Sequence, residues 1–223
     1  MSFSVPGYTS ATPAGVTSVS ISVPSGVADG DFLILTAITY TSGAWNPPAG
    51  WNVLFSGGLP LAATHQFILA WRTASSEPAS YTLNVGSSAW PAVIMYAARG
   101  GQSANPLAGS AFSPGVSYQT TITPPAYTPH FTSSLFIYGY GGINQSGSGG
   151  GGMTLPSPSS LLPGSVTADV NNSSGGTDMA LIATTSPGPG NATIPTGVDQ
   201  CAFTAELNAQ VSPALGSFLT FFP

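Results

Sequence analysis

The chain has 223 residues, 42% of them apolar and only 4% charged, with a formal net charge of −5; an average soluble domain is about 25% charged. Arg72 and Arg99 are its only Lys or Arg residues, which excludes a nucleic-acid interface, because neutralising phosphates takes several cations. The apolar content excludes a disordered chain, the apolar runs are far shorter than the about 20 residues of a membrane-spanning helix, and one cysteine, Cys201, excludes an internal disulfide or a cysteine-based zinc site.

The opening stretch "MSFSVPGYTS" has neither a cationic start nor a long apolar run, so no signal peptide is expected. Beyond it, 28 Gly and 21 Pro punctuate the chain, and no stretch sustains an i, i+3, i+4 apolar pattern. Short runs rich in Val, Ile, Thr, Phe and Tyr between turn residues predict strands. A first series falls at 17–23, 32–40, 52–55, 66–72, 81–85 and 92–98. The turn "VADGD" before the second of these has two readings. Asp29 and Asp31 are possible oxygen ligands for calcium, which takes 6–8 of them, but the next acid, Glu77, is far along the chain. Alternatively Gly30 takes a positive φ while the Asp side chains accept backbone N–H bonds in a turn.

Four tryptophans follow. Trp45, in "TSGAWNPP", is the candidate exposed platform, for a sugar's apolar face or as a plug between subunits. Trp51, after "NPPAG", is expected at a sheet end, and these two are the candidate ligand-binding residues. Trp71 alternates with Leu69 and Phe67 and is expected in the core. Arg72 and Arg99 each close an apolar strand, and Asp29, Asp31 and Glu77 are the acids available to them. Structural ion pairs of Arg72 and Arg99 with Asp31 and Glu77 are expected, fixing register rather than adding stability, since a surface pair contributes about 0–1 kcal/mol.

The second series of strands is predicted at 118–123, 134–140, 165–170, 178–184, 191–194, 201–210 and 217–222. Within it, "GGINQSGSGGGG" (141–152) reads as a flexible loop. Having no Lys and preceding no helix, it is not a phosphate cradle. His65 and His130 lie in no zinc-type or nucleophile-type motif, and "GSVTA" and "GVSYQ" are not the nucleophile elbow. A hydrolase would need two of Glu77, Asp178, Asp199 and Glu206 within about 5–9.5 Å in a cleft. No catalytic residue, metal or cofactor is expected.

Thirteen short strands with Gly/Pro turns predict an all-β fold, an antiparallel two-sheet β-sandwich of jelly-roll type. The two series also correspond: "SISVPSGVADGDFLILTAITY" lies on "TTITPPAYTPHFTSSLFIYGY", "PPAGWNVL" on "GGGGMTLP", "HQFILAWRT" on "TDMALIATT", and "WPAVIMYAARG" on "CAFTAELNAQV". The expectation is one domain over 1–223, built from pseudo-repeats at about 17–107 and 118–211 whose strands interleave. A surface so poor in charge suits a chain covered by neighbours in an assembly.

The residues Gly30-Asp31, Pro48-Ala49-Gly50-Trp51, Trp71-Arg72, Glu77-Pro78 with Tyr81-Thr82, Arg99-Gly100 and Asn105-Pro106 form a recurring frame. In it the chain resembles a family of β-sandwich domains in bacteriophage virion proteins, of the minor tail or decoration type. The match covers about 17–107; the second half follows the frame loosely, and its Gly-rich loop departs from it. The resemblance implies a structural, non-enzymatic subunit on the virion surface, decorating the capsid or associated with tail or fibre. It implies other virion proteins and further copies of itself as partners, and no nucleic acid or membrane. An alternative is a carbohydrate-binding adhesin for a host surface glycan, with Trp45 and neighbouring tyrosines in an open groove.

Overall fold

A computed structural model of the chain describes residues 3–40, 43–59, 65–102, 105–114, 119–144, 153–156, 166–172, 175–185, 187–188 and 190–209. Of these, 87–89, 144, 166–172, 175–178 and 195–198 are described by their backbone alone. The described residues form twelve strands and no helix. They are β1 (Ser4–Ala11), β2 (Val16–Ser22), β3 (Phe32–Tyr40), β4 (Asn52–Gly58), β5 (His65–Thr73) and β6 (Ser80–Arg99), then β7 (Leu107–Ser113), β8 (Gln119–Ile122), β9 (Leu135–Asn144), β10 (Val166–Asn172), β11 (Gly175–Thr184) and β12 (Ala192–Leu207). All their pairings are antiparallel.

Each half of the chain makes its own sheet. The first runs β1-β6-β3-β5-β4 with β2 also on β6, and the second runs β7-β12-β9-β11-β10 with β8 also on β12. The same order therefore occurs twice, offset by six strands, and strands of the two halves do not interleave within a sheet. The segments 81–85 and 92–98, read from sequence as separate strands, are one strand of 20 residues, and 191–194 and 201–210 merge likewise into β12. Each long strand shifts register against its ribbon partner, β6 between its Ser18 and Val16 pairings with β2 and β12 between Thr193 and Val198 in its pairing with β8. Such a bulge bends a strand and raises its twist. The first part of β6 thereby pairs with β2 as an outer ribbon, and the second part enters the sheet between β1 and β3.

The bend produces three apolar layers. The ribbon closes over the outer face of the first sheet around Val19, Ile21, Leu33, Leu35, Leu83 and Met95. Ile122, Phe136, Tyr138, Tyr140 and Ile194 do the same in the second half. Between the sheets, Ile34, Ile38, Phe67 and Tyr96 meet Leu135, Ile137, Leu181 and Phe203. Successive residues of a strand point to opposite faces, so β3, buried on both, is apolar on both faces apart from Thr36, whose hydroxyl donates to the Ile68 carbonyl, and Thr39. The uninterrupted run "FLIL" reflects this, and its four side chains are at most 2% exposed.

The sheets stack with β1 over β10, β6 over β11, β3 over β9, β5 over β12 and β4 over β7. At the β4–β7 margin Phe55 stacks on Phe112 with centroids 3.7 Å apart. Ile38, seventh in β3, packs against Gly141, seventh in β9, so the two central strands run in the same direction. The halves are thus related by a pseudo-two-fold axis along the strands, as in an isologous dimer within one chain. Equivalent loops of both halves consequently lie at the same end of the molecule.

Several details differ from the sequence reading. β1 and β7, equivalent by the repeat, are strands not anticipated in "SVPGYTSA" and "LAGSAFS". Gly141–Ile143, assigned to a flexible loop, continue β9 and are buried; the rest of that run, 145–152, lies outside the described residues, as does the expected strand 217–222. "MTLP" is the counterpart of "WNPP" rather than of "WNVL", because Thr154 bridges Thr193 as Asn46 bridges Asn84.

Candidate functional site

The charged side chains of the first half gather where β3 begins. Asp31, the residue before β3, is 3% exposed and sits beside Arg99, the last residue of β6. Arg99 grips it with two bonds, Nε to Oδ1 and Nη2 to Oδ2, both 2.7 Å. Nη2 also donates to the Gly26 carbonyl at 2.9 Å, while Asp31 Oδ2 accepts the Ala28 N–H at 2.8 Å. The hydrogen bond to Asp31 raises the Arg99 pKa further. Gly30 takes φ +90°, a left-handed conformation suited to glycine. Asp29 Oδ1 accepts the N–H of Ser76 at 2.7 Å, pinning that residue at φ +51°. The "VADGD" segment is therefore a turn whose carboxylates are engaged by Arg99, Ala28 and Ser76. Among the described residues no group of three His, Cys, Asp or Glu is placed to hold a metal ion.

Arg72 forms the second pair, Nη2 lying 3.2 Å from Glu77 Oε1. Its Nη1 donates to the Tyr81 hydroxyl at 2.7 Å, its guanidinium lies 5.8 Å from the centre of that ring, and Tyr81 donates to Glu77 Oε2. Burial first, then the hydrogen bond with Glu77, pushes the Tyr81 phenol up to about 12. Glu77 Oε1 also accepts the Ser75 N–H at 2.8 Å. This network closes the turn before β6.

The corresponding position of the second half carries a group of different chemistry. Leu135 pairs with Leu207 as Phe32 pairs with Ala98, so Ser134 stands where Asp31 stands. Its Oγ donates to Glu206 Oε1 at 2.6 Å. Glu206 is fully buried and accepts four further donors: the backbone N–H of His130 and of Phe131, His130 Nδ1 at 2.8 Å and the Tyr127 hydroxyl at 2.8 Å. Burial alone would raise this carboxyl; the bonds from Ser134, from the His130 backbone and ring, and from Tyr127 outweigh it and bring the pKa down to about 2. Gly109 on β7 makes the arrangement possible, since a Cβ there would lie 2.5 Å from the Tyr127 hydroxyl oxygen. This cluster is invisible in the sequence: the donors to Glu206 are 72–79 residues from it in the chain and follow no motif.

The geometry speaks against nucleophilic catalysis by this cluster. Ser134 and His130 both point at the carboxylate, so the imidazole does not face the hydroxyl as a base must. The other acids do not converge either. Glu77 lies on the outer side of the first half and Glu206 on that of the second, with two sheets between them, and sheets stack about 10 Å apart. Asp199 is buried at the opposite end, 2.9 Å from His65 Nδ1, both side chains being 0% exposed. His65 belongs to the first half and Asp199 to the second, so this contact ties the halves together. The side chain of Asp178 lies outside the described residues.

The two tryptophans expected as ligand platforms are interior residues. Trp45 is 3% exposed and Trp51 8%; both belong to the layer under the β2–β6 ribbon. The Trp45 Nε1 donates to the Gln66 carbonyl at 3.5 Å, and Trp51 meets the ring of Tyr81 edge-on at 5.4 Å. The bend of β6 brings the ribbon across them, a long-range event that the loop sequence does not show. Trp71 stacks on Phe32 at 5.5 Å. No protein family, curated protein or solved structure matches the chain.

Proposed function

We propose that the protein is a structural subunit of a bacteriophage virion, exposed on the particle surface as a capsid decoration or a tail- or fibre-associated protein, and acting through contacts with neighbouring subunits. One observation carries this reading: every charged side chain among the described residues is engaged internally. Asp29, Asp31, Arg72, Glu77, Arg99, Asp199 and Glu206 all have partners within the chain. The described outer surface is poor in free charge: Arg99 and Asp29, though exposed, are bonded within the chain, and Tyr8, Tyr40, Val53 and Phe131 present apolar area to solvent. Such a surface forms contacts whose energy lies in shape, apolar burial and neutral hydrogen bonds. The frame shared with virion β-sandwich proteins supports the same reading.

The decisive experiment is localisation on particles by electron microscopy with copy counting. Many copies over the head mean decoration, a few at one vertex mean tail or fibre, and absence from purified particles overturns the proposal. A second expectation concerns salt. Screening weakens contacts between exposed charges within a Debye length, about 10 Å at 0.1 M and 3 Å at 1 M. Self-association of the purified chain, followed by analytical ultracentrifugation, should therefore stay within about twofold between about 0.05 and about 1 M NaCl. Dissociation by salt alone would show that charge carries the contacts.

A further inference from the structure

The pseudo-two-fold symmetry places a cleft at the same position in each half, and the two differ in chemistry. In the first half a cleft of about 240 Å3 lies between the β2–β3 and β5–β6 loops, with Asp29 and Glu77 in its lining. Its counterpart, of about 300 Å3, lies between the β8–β9 and β11–β12 loops. Pro124, Pro125, Tyr127, Tyr138, Gly188 and Asn191 line it, and among the described residues no charged side chain does.

The second cleft is preorganised. Tyr138, 2% exposed, forms part of its floor, and its hydroxyl accepts the Gly188 N–H at 3.0 Å. Tyr127, half-buried, is held by its hydrogen bond to Glu206. Both rings are therefore fixed before any ligand arrives, and the two prolines lock φ along the other wall. Rigid walls reduce the ordering cost of binding. The volume is at the lower end for small-molecule sites, about 300–1,000 Å3, the scale of one or two sugar rings. With no cation in the lining an anionic ligand finds no counter-charge, and with no carboxylate a cationic one finds none either. What fits is a neutral molecule with an apolar face for an aromatic ring and hydroxyls for an amide and backbone groups.

We propose that this cleft binds a neutral saccharide unit, with Tyr127 as stacking platform and Asn191 as the polar contact at the rim. The site is distinct from Trp45, and it stands independently of the virion reading. A saccharide bound by a chain absent from particles leaves the proposal intact; a virion subunit that binds none overturns it.

The full chain is screened on an array of neutral and acidic oligosaccharides, and hits are followed by saturation-transfer NMR. A neutral glycan should bind, and Asn191→Ala and Tyr127→Ala should each weaken it by about tenfold. Because Tyr127→Ala also removes a partner of Glu206, Tyr127→Phe is the control: it keeps the ring, loses the hydroxyl, and should retain binding within a few-fold. Circular dichroism of each variant separates lost binding from lost fold. No signal for any neutral glycan, binding of acidic glycans alone, or affinity unchanged in both alanine variants overturns the proposal.

Discussion

Replacing Glu206 by glutamine should destabilise the protein by about 2–4 kcal/mol, the cost of leaving buried donors without the carboxylate they faced. Glutamine keeps the shape, so no cavity forms and the effect isolates the chemistry. The carboxylate accepts from Ser134, the His130 and Phe131 amides, the His130 ring and Tyr127. A glutamine replaces one acceptor oxygen by an NH2 donor, which must face donors already in place, leaving buried polar groups unsatisfied. For a chain of this length the melting temperature should fall by about 10 °C. Loss of less than about 1 kcal/mol in urea titrations would mean that the 127–134 loop does not depend on Glu206.

The same residue sets an acid limit. Its pKa is lowered from the ordinary 4.5 to about 2 in the folded chain, so the folded state holds this group ionised where the unfolded chain has begun to bind a proton. The stabilisation is fully present above about pH 4.5 and is lost as the pH falls through about 2, in total about 3 kcal/mol. The stability difference between wild type and Glu206→Gln should accordingly shrink between about pH 6 and pH 2. A difference constant over that range would contradict the origin proposed for it.

Gly139→Ala is the second severe change, for a steric reason. Gly139 pairs with Phe203 across β9 and β12, on the face turned toward the other sheet. A Cβ there would overlap the ring of Phe203, which is fully buried and lies 6.2 Å from Phe67 of the first half. The aromatic ring covers the glycine, a way of filling the space its missing side chain leaves. Overpacking of this kind costs about 3 kcal/mol, and Phe203→Ala should cost about 3–5 kcal/mol through its cavity. The double variant tests the account, because the alanine methyl at 139 then occupies part of that cavity. Its destabilisation should be less than the sum of the singles by about 1–3 kcal/mol. Strict additivity would show that the ring and the glycine are not in contact.

Neither position was legible in the sequence: the Glu206 donors follow no motif, and Gly139 depends on distant packing. "FIYGYGG" reads as a strand followed by a loop, because glycine is a poor strand residue. Gly139 and Gly141 are tolerated because Phe203, Cys201 and Ile38 fill the space above them, contacts from β12 and from the other half. β1 and β7 were illegible for a related reason. Rich in Ser, Gly, Ala and Pro, they are strands because β6 and β12 offer them an edge. Trp45 and Trp51 were placed by local turn chemistry, which is blind to a ribbon arriving from about 40 residues further on.

The sequence by itself determined the all-β class, the positions of the long apolar strands and the turn at Asp29–Asp31. These depend on local quantities: β-branched and aromatic content, the positive φ that glycine permits, and carboxylates beside backbone N–H groups. Only the tertiary structure decided that each half closes its own sheet, that the halves stack about a pseudo-two-fold axis, and that Glu206 and its five donors meet. Those outcomes depend on contacts between residues about 25–130 apart in the chain, and a pattern read over a few residues carries no information about which distant faces are complementary.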